Sequence, residues 1–517
     1  MKSKYRFLLF LLFLMPQLLY CGTVGKIKGK ITDHNTGEPL IGANVVVVGT
    51  TLGATSDSRG EYVIQNLTPG TYILKASFIG YRELILSDVR VNADLTTETN
   101  IQLADATLSV GTIEVTAQKP LITKDNTNAV RITTSEDVKY APVRGVDNII
   151  GLTAGVVMHD KNIIIRGGRI DEVGYYLEGV SITNPMNGGR GISISQDAVE
   201  EIQIQSGGYT AEFGGANSGI VRQALKTGGS DLKASMEYIT DNFTFKSRDN
   251  FFDGKKRLGA HTYGYNELSA VLSGPLVDPR YKFFANVDYV YNRDANPQPY
   301  PGINLGIIGD KQTGDTIKLV YPAGPVKGNQ SNICTYTGTL NMDFKPVILR
   351  FSGSYSTSRT DGPPILRATG SSGNVADFFT QRIGYQDGSN GSFNLKLTHV
   401  ISPEVFYELS GGYYFNKVAR YDPYLKDDFW NYGDSVANAN AGVVWYRTAT
   451  ERRNGYWGRY NTPRPYNIMG FQFAALNDVT VNHVKAKRES MNFTGSLSFI
   501  INKIHSVKLG GDFTQYT

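Results

Sequence analysis

The chain is predicted to be mainly β, with an N-terminal β-sandwich, an α+β middle segment and a partial antiparallel transmembrane β-barrel. Three observations lead there. Residues from Lys26 to Leu103 alternate at period two and are punctuated by turn sequences. After Gly229 the sequence becomes a series of amphipathic strands of about ten residues, joined by connections that are alternately short and long. The composition, with 56 Gly, 31 Tyr and 24 Phe, suits β-structure with aromatic belts, and leucine-rich helical periodicity is nearly absent after the first residues.

The totals exclude several functions. A chain of 517 residues exceeds one ordinary core. Its 52 basic and 47 acidic residues give +5, an excess spread along the whole length that does not argue for nucleic acid. Cys21 and Cys334 are the two cysteines, so no disulfide framework holds the fold. His34, His159, His261, His399, His483 and His505 are scattered without metal-ligand spacing, and neither a serine elbow nor a histidine-glutamate helix motif occurs. No cofactor, metal or enzymatic activity is expected.

The elements follow in order. Lys2, Lys4 and Arg6 precede an apolar run from Phe7 to Met15 and then Pro16, the layout of a secretory signal peptide over residues 1–22. Cleavage is expected between Cys21 and Thr23, since Tyr20 is bulkier than the residue a lipidated Cys21 would need before it. From 26 to 103, the turns Thr36-Gly37-Glu38-Pro39, Ser58-Arg59-Gly60-Glu61 and Thr68-Pro69-Gly70-Thr71 separate several short strands, which read as a small sandwich. Gly29-Lys30-Ile31-Thr32-Asp33, Gly37 to Val45, Gly60-Glu61-Tyr62, Pro69-Gly70-Thr71-Tyr72 and Gly80-Tyr81 resemble the carboxypeptidase-regulatory-like domain, which implies a folding or docking module without catalytic residues.

The most informative stretch lies between residues 129 and 227. Ile163-Ile164-Ile165-Arg166-Gly167-Gly168-Arg169 is followed by Tyr175 to Val180, by Val199-Glu200-Glu201 to Gly208, and by Tyr209-Thr210-Ala211-Glu212-Phe213-Gly214-Gly215. Together they resemble the plug domain of TonB-dependent outer-membrane receptors. The isoleucine run reads as a buried strand, and residues 144–152 read as a helix. Arg222-Gln223-Ala224 departs from the usual apolar alternation of the last plug strand. Gly167-Gly168 lacks the lysine-serine ending of a phosphate loop, so tight turns account for these glycines. Arg166, Glu200 and Glu201 are the charges expected to lock the plug to the barrel wall.

Residues 104–128 form a polar linker. Within it Thr112, Ile113, Glu114, Val115, Thr116 and Ala117 resemble the segment by which such receptors add a strand to a TonB-type energy-transducing partner, with alternate side chains suited to pockets. A second reading makes the same segment the last strand of the sandwich or the first of the plug.

From 230 to 517 the alternation is that of an outer-membrane barrel. Leu232, Ala234, Met236 and Tyr238 share one face, as do Phe283, Ala285, Val287 and Tyr289, and Met491, Phe493, Gly495 and Leu497. Arg293–Thr335, Thr357–Asn390 and Lys417–Glu489 read as long loops. About nine strands are expected, whereas the resembled receptors close about 22 around their plug. An incomplete barrel is therefore the expectation, since Thr517 follows what reads as a mid-barrel strand. Tryptophan, tyrosine and arginine gather in the longest loop, at Trp430, Tyr432, Trp445, Tyr446, Tyr456, Trp457, Arg459 and Tyr460. Two readings stand there, ligand contact and plain loop packing.

The resemblance implies a receptor in the bacterial outer membrane. It would import a scarce nutrient, whether siderophore, vitamin, oligosaccharide or peptide, by energy-coupled rearrangement of the plug. A surface lipoprotein partner is part of the glycan-importing subtype. The alternative is an adhesion or scaffold protein that uses the barrel as an anchor.

Overall fold

The computed structural model describes residues 24–106, 113–116, 129–159, 162–186, 188–209, 213–241, 264–293, 303–311, 314–321, 330–361, 382, 384–402, 404–445, 447–455, 458–464, 466–468, 471–473, 477, 479, 481–501 and 505–517. The expected signal peptide lies outside them, as do Thr112, Ala117, Tyr446, Tyr456 and Trp457.

Alternation of buried and half-buried residues builds the first unit. In β1 (Gly25–Asp33), Ile27 and Ile31 point inward, and β2 (Asn44–Val47) adds Val45 and Val47. The remaining strands are β3 (Gly53–Thr55), β4 (Glu61–Leu67), β5 (Gly70–Ser77), β6 (Leu84–Val91), β7 (Thr96–Glu98), β8 (Ile101–Leu103) and β9 (Ile113–Thr116). They form two sheets, one with β4, β7 and β8 paired to β1, the other in the order β3-β2-β5-β6-β9. Tyr62, Ile64, Leu74, Val91, Ile101 and Leu103 fill the space between them. The last strand is an edge: β9 runs parallel to β6, with Leu84 opposite Ile113 and Ser87 opposite Thr116. Of the two readings of this segment, the structure draws Ile113–Thr116 as a sandwich strand.

The second unit is a mixed α+β layer. Its elements are β10 (Val130–Thr134), α1 (Ser135–Tyr140), α2 (Val146–Gly151), β11 (Val156–His159), β12 (Asn162–Ile165), β13 (Val173–Leu177), β14 (Val180–Ser181), β15 (Val199–Gln205) and β16 (Gly219–Leu225). A capping box between Thr134 and Asp137 starts α1. The central sheet runs β10-β15-β16-β13-β14. Val173, Tyr175, Leu177, Ile202, Ile204 and Val221 pack with Val146, Ile149 and Ile150 of α2. β16 is buried on both faces, which explains its irregular composition. Val221 and Leu225 join the core, while Arg222 lies over the Phe213 ring and pairs with Asp94 of the sandwich at 2.7 Å.

Nine antiparallel strands make the third unit, in the order β17-β18-β19-β22-β23-β24-β25-β28-β29. They are β17 (Lys233–Thr240), β18 (Tyr265–Pro275), β19 (Tyr281–Asn292), β22 (Ser331–Asp343), β23 (Val347–Asp361), β24 (Tyr385–Ser402), β25 (Val405–Tyr421), β28 (Val484–Ile501) and β29 (His505–Tyr516). Short hairpins β20 (Ile303–Gly309) with β21 (Thr316–Tyr321), and β26 (Tyr466–Ile468) with β27 (Phe471–Phe473), interrupt the meander. The burial is inverted relative to a water-soluble sheet. Ser352, Ser354, Ser356, Asn394, Thr398, Asn492 and Thr494 are buried, whereas Phe351, Leu395, Leu409, Phe493 and Phe513 are exposed. Register aligns Phe351 with Leu395, and Phe493 with Phe513, as an apolar band across the outer face. Such a sheet is built for lipid outside and a polar lumen inside.

Two expectations about this sheet need correction. Its strands reach 18 residues in β24 and β28 rather than ten. The extra length is polar, as in Asp387-Gly388-Ser389-Asn390, and carries no alternation to mark it. The region 293–335, read as loop, also contains the β20–β21 hairpin and the start of β22.

Candidate functional site: the plug, its locks and the outer loop

The middle unit sits against the hydroxyl-lined face of the nine-stranded sheet. Its contacts there are mostly single hydrogen bonds. Ser269 Oγ donates to Asp197 at 2.5 Å, Asn394 Nδ2 to the Glu178 carbonyl at 3.0 Å, Asn416 Nδ2 to the Gly191 carbonyl at 2.9 Å, and Thr339 Oγ1 to the Lys226 carbonyl at 2.7 Å. Two glycines allow close approach. A Cβ on Gly412 would lie 2.5 Å from Val180 Cγ2, and one on Gly191 would lie 2.1 Å from Tyr414 Oη.

Two ion-pair clusters fasten this seat. Arg144, just before α2, donates through Nε and Nη2 to both Glu267 oxygens on β18, at 2.9 and 2.8 Å, and reaches Glu237 on β17 at 3.2 Å. The second cluster has the opposite polarity, with the acid on the plug. Arg350 on β23 donates to Glu178 through Nε at 2.9 Å and Nη2 at 3.0 Å, and to Thr227 Oγ1 at 2.6 Å. Glu178 also accepts from the Leu225 amide at 2.6 Å. Burial pushes the Glu178 carboxyl up, but the Arg350 guanidinium outweighs it and holds the carboxyl below its ordinary value. Lys396 and Glu408 form a further buried pair at 3.5 Å on the neighbouring strands. Glu178 caps the β13–β14 hairpin at φ 52, followed by Gly179 at φ 89, the left-handed pair that a two-residue turn requires. A non-glycine residue there costs about 1 kcal/mol or more, and the buried ion pair holds it in place.

The charges expected to do this locking lie elsewhere. Arg166, at φ 50 in the turn after β12, is exposed, and Arg169 pairs with Asp171 and Glu172 at 3.4 Å within its own loop. Gly167 supplies the second left-handed position at φ 72, and Gly168 packs against Ser218. Glu200 and Glu201 face the sandwich. Arg90 Nη1 donates to Glu200, and Arg90 Nη2 lies 3.6 Å from Glu201. The reason is positional: β15 passes under the sandwich, so these carboxylates meet β6 rather than the wall. No sequence spacing links Glu178 to Arg350, so this wall contact has no local signature in the sequence.

The outer loop is an ordered assembly. Arg382 is buried and forms a bidentate pair with Asp422, with Nη1 also bonded to Asn438 at 2.5 Å. Asp434 caps helix α3 (Ser435–Asn440) and accepts from Arg459 Nη2 at 2.6 Å. The Arg459 bonds hold its carboxyl down at about 2. Beyond α4 (Ala449–Arg453) this framework continues to Asn461, whose carbonyl accepts from Arg447. Of the aromatic candidates, Trp445 is 8% exposed beneath Arg447, so it packs the loop. Trp430 is 83% exposed, and Phe429 lies beside it at 4.9 Å and stacks on His483 at 4.8 Å. Tyr460 is also exposed, with Arg459 over its ring.

A sheet with an apolar outer face and a polar inner face, with a separately folded α+β unit seated on the polar side, is the architecture of part of a plugged outer-membrane β-barrel. Residues 27–115 match the family model of the CarboxypepD_reg-like domain, and residues 123–221 match that of the TonB-dependent Receptor Plug Domain. The TonB-dependent transporter Oar of Myxococcus xanthus is 24% identical over 314 residues, covering 56% of this chain and 29% of that protein. The TonB-dependent receptor SusC of Bacteroides thetaiotaomicron is 28% identical over 342 residues, covering 61% and 32%. Among solved structures, the outer membrane transporter YddB from Escherichia coli aligns with a TM-score of 0.47 at 11% identity, covering 72% of this chain and 46% of that one. Over these regions the chain is similar to the TonB-dependent receptors, and it spans about a third of the length of the curated relatives it matches.

Proposed function

We propose that this chain is the receptor and plug portion of an importer. It binds a scarce nutrient from outside and admits it when a TonB-type partner engages residues 112–117 and rearranges the plug. The observation that carries this reading is the seat of the plug. A separately folded unit rests on hydroxyl and amide groups, with two ion-pair clusters as its strong attachments. A permanent structural filling would interlock apolar side chains along the whole boundary, and here, among the described residues, the wall contributes Phe284 and Tyr414 to the plug core, with Val271 packed beside them. An anchor for an adhesin needs no releasable seat.

For ligand contact we assign the exposed Phe429–Trp430 ledge and Tyr460 beside Arg459, rather than Trp445. The candidate ligand classes remain siderophore, vitamin, oligosaccharide and peptide, and a surface lipoprotein partner belongs to the oligosaccharide case. The test compares cells carrying the intact receptor with cells lacking residues 112–117, in a medium containing all four solute classes. At least one solute should be depleted by the first strain alone while isolated outer membranes of both strains bind it. Equal depletion by both strains would refute energy-coupled import through this segment.

A further inference from the structure

We propose that the N-terminal sandwich is the handle of the plug, and that Arg90 is the positioning residue through which tension on Ile113–Thr116 reaches plug strand β15. The inference rests on the coupling role proposed for residues 112–117. What it adds is the route.

One strand, β6, carries both halves of that route. Its first half pairs in parallel with β9, from Leu84 opposite Ile113 to Ser87 opposite Thr116. Three residues later, Arg90 grips β15: Nη1 donates to the Glu200 carboxylate, Nη2 to the Glu200 carbonyl at 3.1 Å, and Nη2 lies 3.6 Å from Glu201. The turn that follows β6 strengthens the grip. The Ala93 amide donates to Glu201 at 3.3 Å, Gln203 Nε2 donates to the Ala93 carbonyl at 2.8 Å, and Asp94 accepts from Arg222 on β16. Arg90 and Glu200 are largely buried, where a charge-assisted bond is strong. Against the wall the sandwich makes lighter contacts, with Thr51 Oγ1 donating to Asp343 at 2.7 Å.

β9 is the last strand of its sheet, so among the described residues no strand pairs with its outer edge. A partner strand can therefore be added there without removing β9 from β6.

The experiment uses the full-length receptor in lipid nanodiscs and the purified periplasmic domain of the energy-transducing protein as probe. Binding of that domain should lower hydrogen-exchange protection across Val199–Gln205. Arg90→Ala should abolish this response while leaving affinity within twofold, and Arg90→Lys should restore most of it. A Ser87→Cys/Thr116→Cys disulfide, made in a Cys334→Ser background, should leave affinity unchanged on oxidation. The handle is overturned if Arg90→Ala responds like the wild type. It is also overturned if oxidation of the cysteine pair abolishes binding and reduction restores it, because β9 would then have to leave β6. If the wild-type receptor does not bind the domain at all, the coupling role of residues 112–117 fails, and the handle fails with it.

Discussion

Replacing Arg350 by Met removes the cation of the inverted lock and leaves the Glu178 carboxylate in a site where it is 6% exposed. Its remaining partners are the Leu225 amide at 2.6 Å and the attraction of Lys396. Breaking a buried pair from one side costs about 3–5 kcal/mol, because the surviving charge has lost its compensation. Without the guanidinium, burial dominates and pushes the Glu178 carboxyl up, toward its protonated form, which places the cost toward the lower end. Amide exchange at Leu225 and its neighbours on β16, measured in the full-length receptor, reads the opening of this seat. A loss of 3–5 kcal/mol corresponds to exchange about 10²- to 10⁴-fold faster. The double variant Glu178→Met/Arg350→Met fills the same volume without charge and should recover most of the protection. The reasoning is refuted if the single variant exchanges within tenfold of wild type. It is equally refuted if the double variant is as exposed as the single one, since the ion pair would then not be the fastening.

Further outcomes follow from other sites. Burial raises the Glu201 carboxyl from 4.5 to about 7, with Arg90, Gln203, the Ala93 amide and Arg222 acting in the opposite direction. Docking of the sandwich on the plug is therefore firmest below the exposed value of 4.5 and weakens as pH rises through 7, by up to about 3 kcal/mol. Exchange at Ala93 should accelerate between pH 5 and pH 8 beyond the intrinsic base-catalysed trend, and Glu201→Gln should remove the excess. Gly191→Ala brings a methyl within 2.1 Å of Tyr414 Oη and within 3.0 Å of the Ile182 carbonyl, so the loop must shift. Limited proteolysis should then cut between Ile182 and Ser193 in the variant and not in wild type. Arg382→Leu leaves Asp422 buried and unpaired and should destabilise the outer loop by about 3–5 kcal/mol. Protease sensitivity should rise in residues 422–461 while protection of β16 stays unchanged.

Much of the architecture was legible because it is written in local periods. Met491 and Phe493 face outward along β28 while Asn492 and Thr494 are buried, and Ile163 and Ile165 point inward along β12, in patterns that a strand imposes at period two. The site was less legible, because its contacts join residues that no local pattern connects. Glu178 and Arg350 are 172 positions apart, and each looks like an ordinary surface charge in its own neighbourhood. Arg166 stands in the sequence as a charge beside glycines, yet its backbone rather than its guanidinium sets its position, since the turn holds a left-handed residue there. Trp445 and Trp430 share one loop and one residue type, and only the packing of Arg447 separates the buried ring from the exposed one. The departure at Arg222-Gln223-Ala224 was visible in the sequence, but its cause, a second domain lying on that face, was not.

The row of serine, threonine and asparagine on the inner wall bears on how the stopper can slide. Apolar surfaces that part in water must be rehydrated all at once, which makes them stick. A hydroxyl that loses one carbonyl partner finds another, or a water molecule, within a fraction of an ångström, so each small step is nearly isoenergetic. Ser354 already bonds the Ser193 carbonyl in this way, and Thr339 the Lys226 carbonyl. The lining thus behaves as a wet bearing. Resistance to motion would then be concentrated at the two charged catches and at Phe284 and Tyr414, the wall rings set into the plug core, and not spread along the rest of the wall.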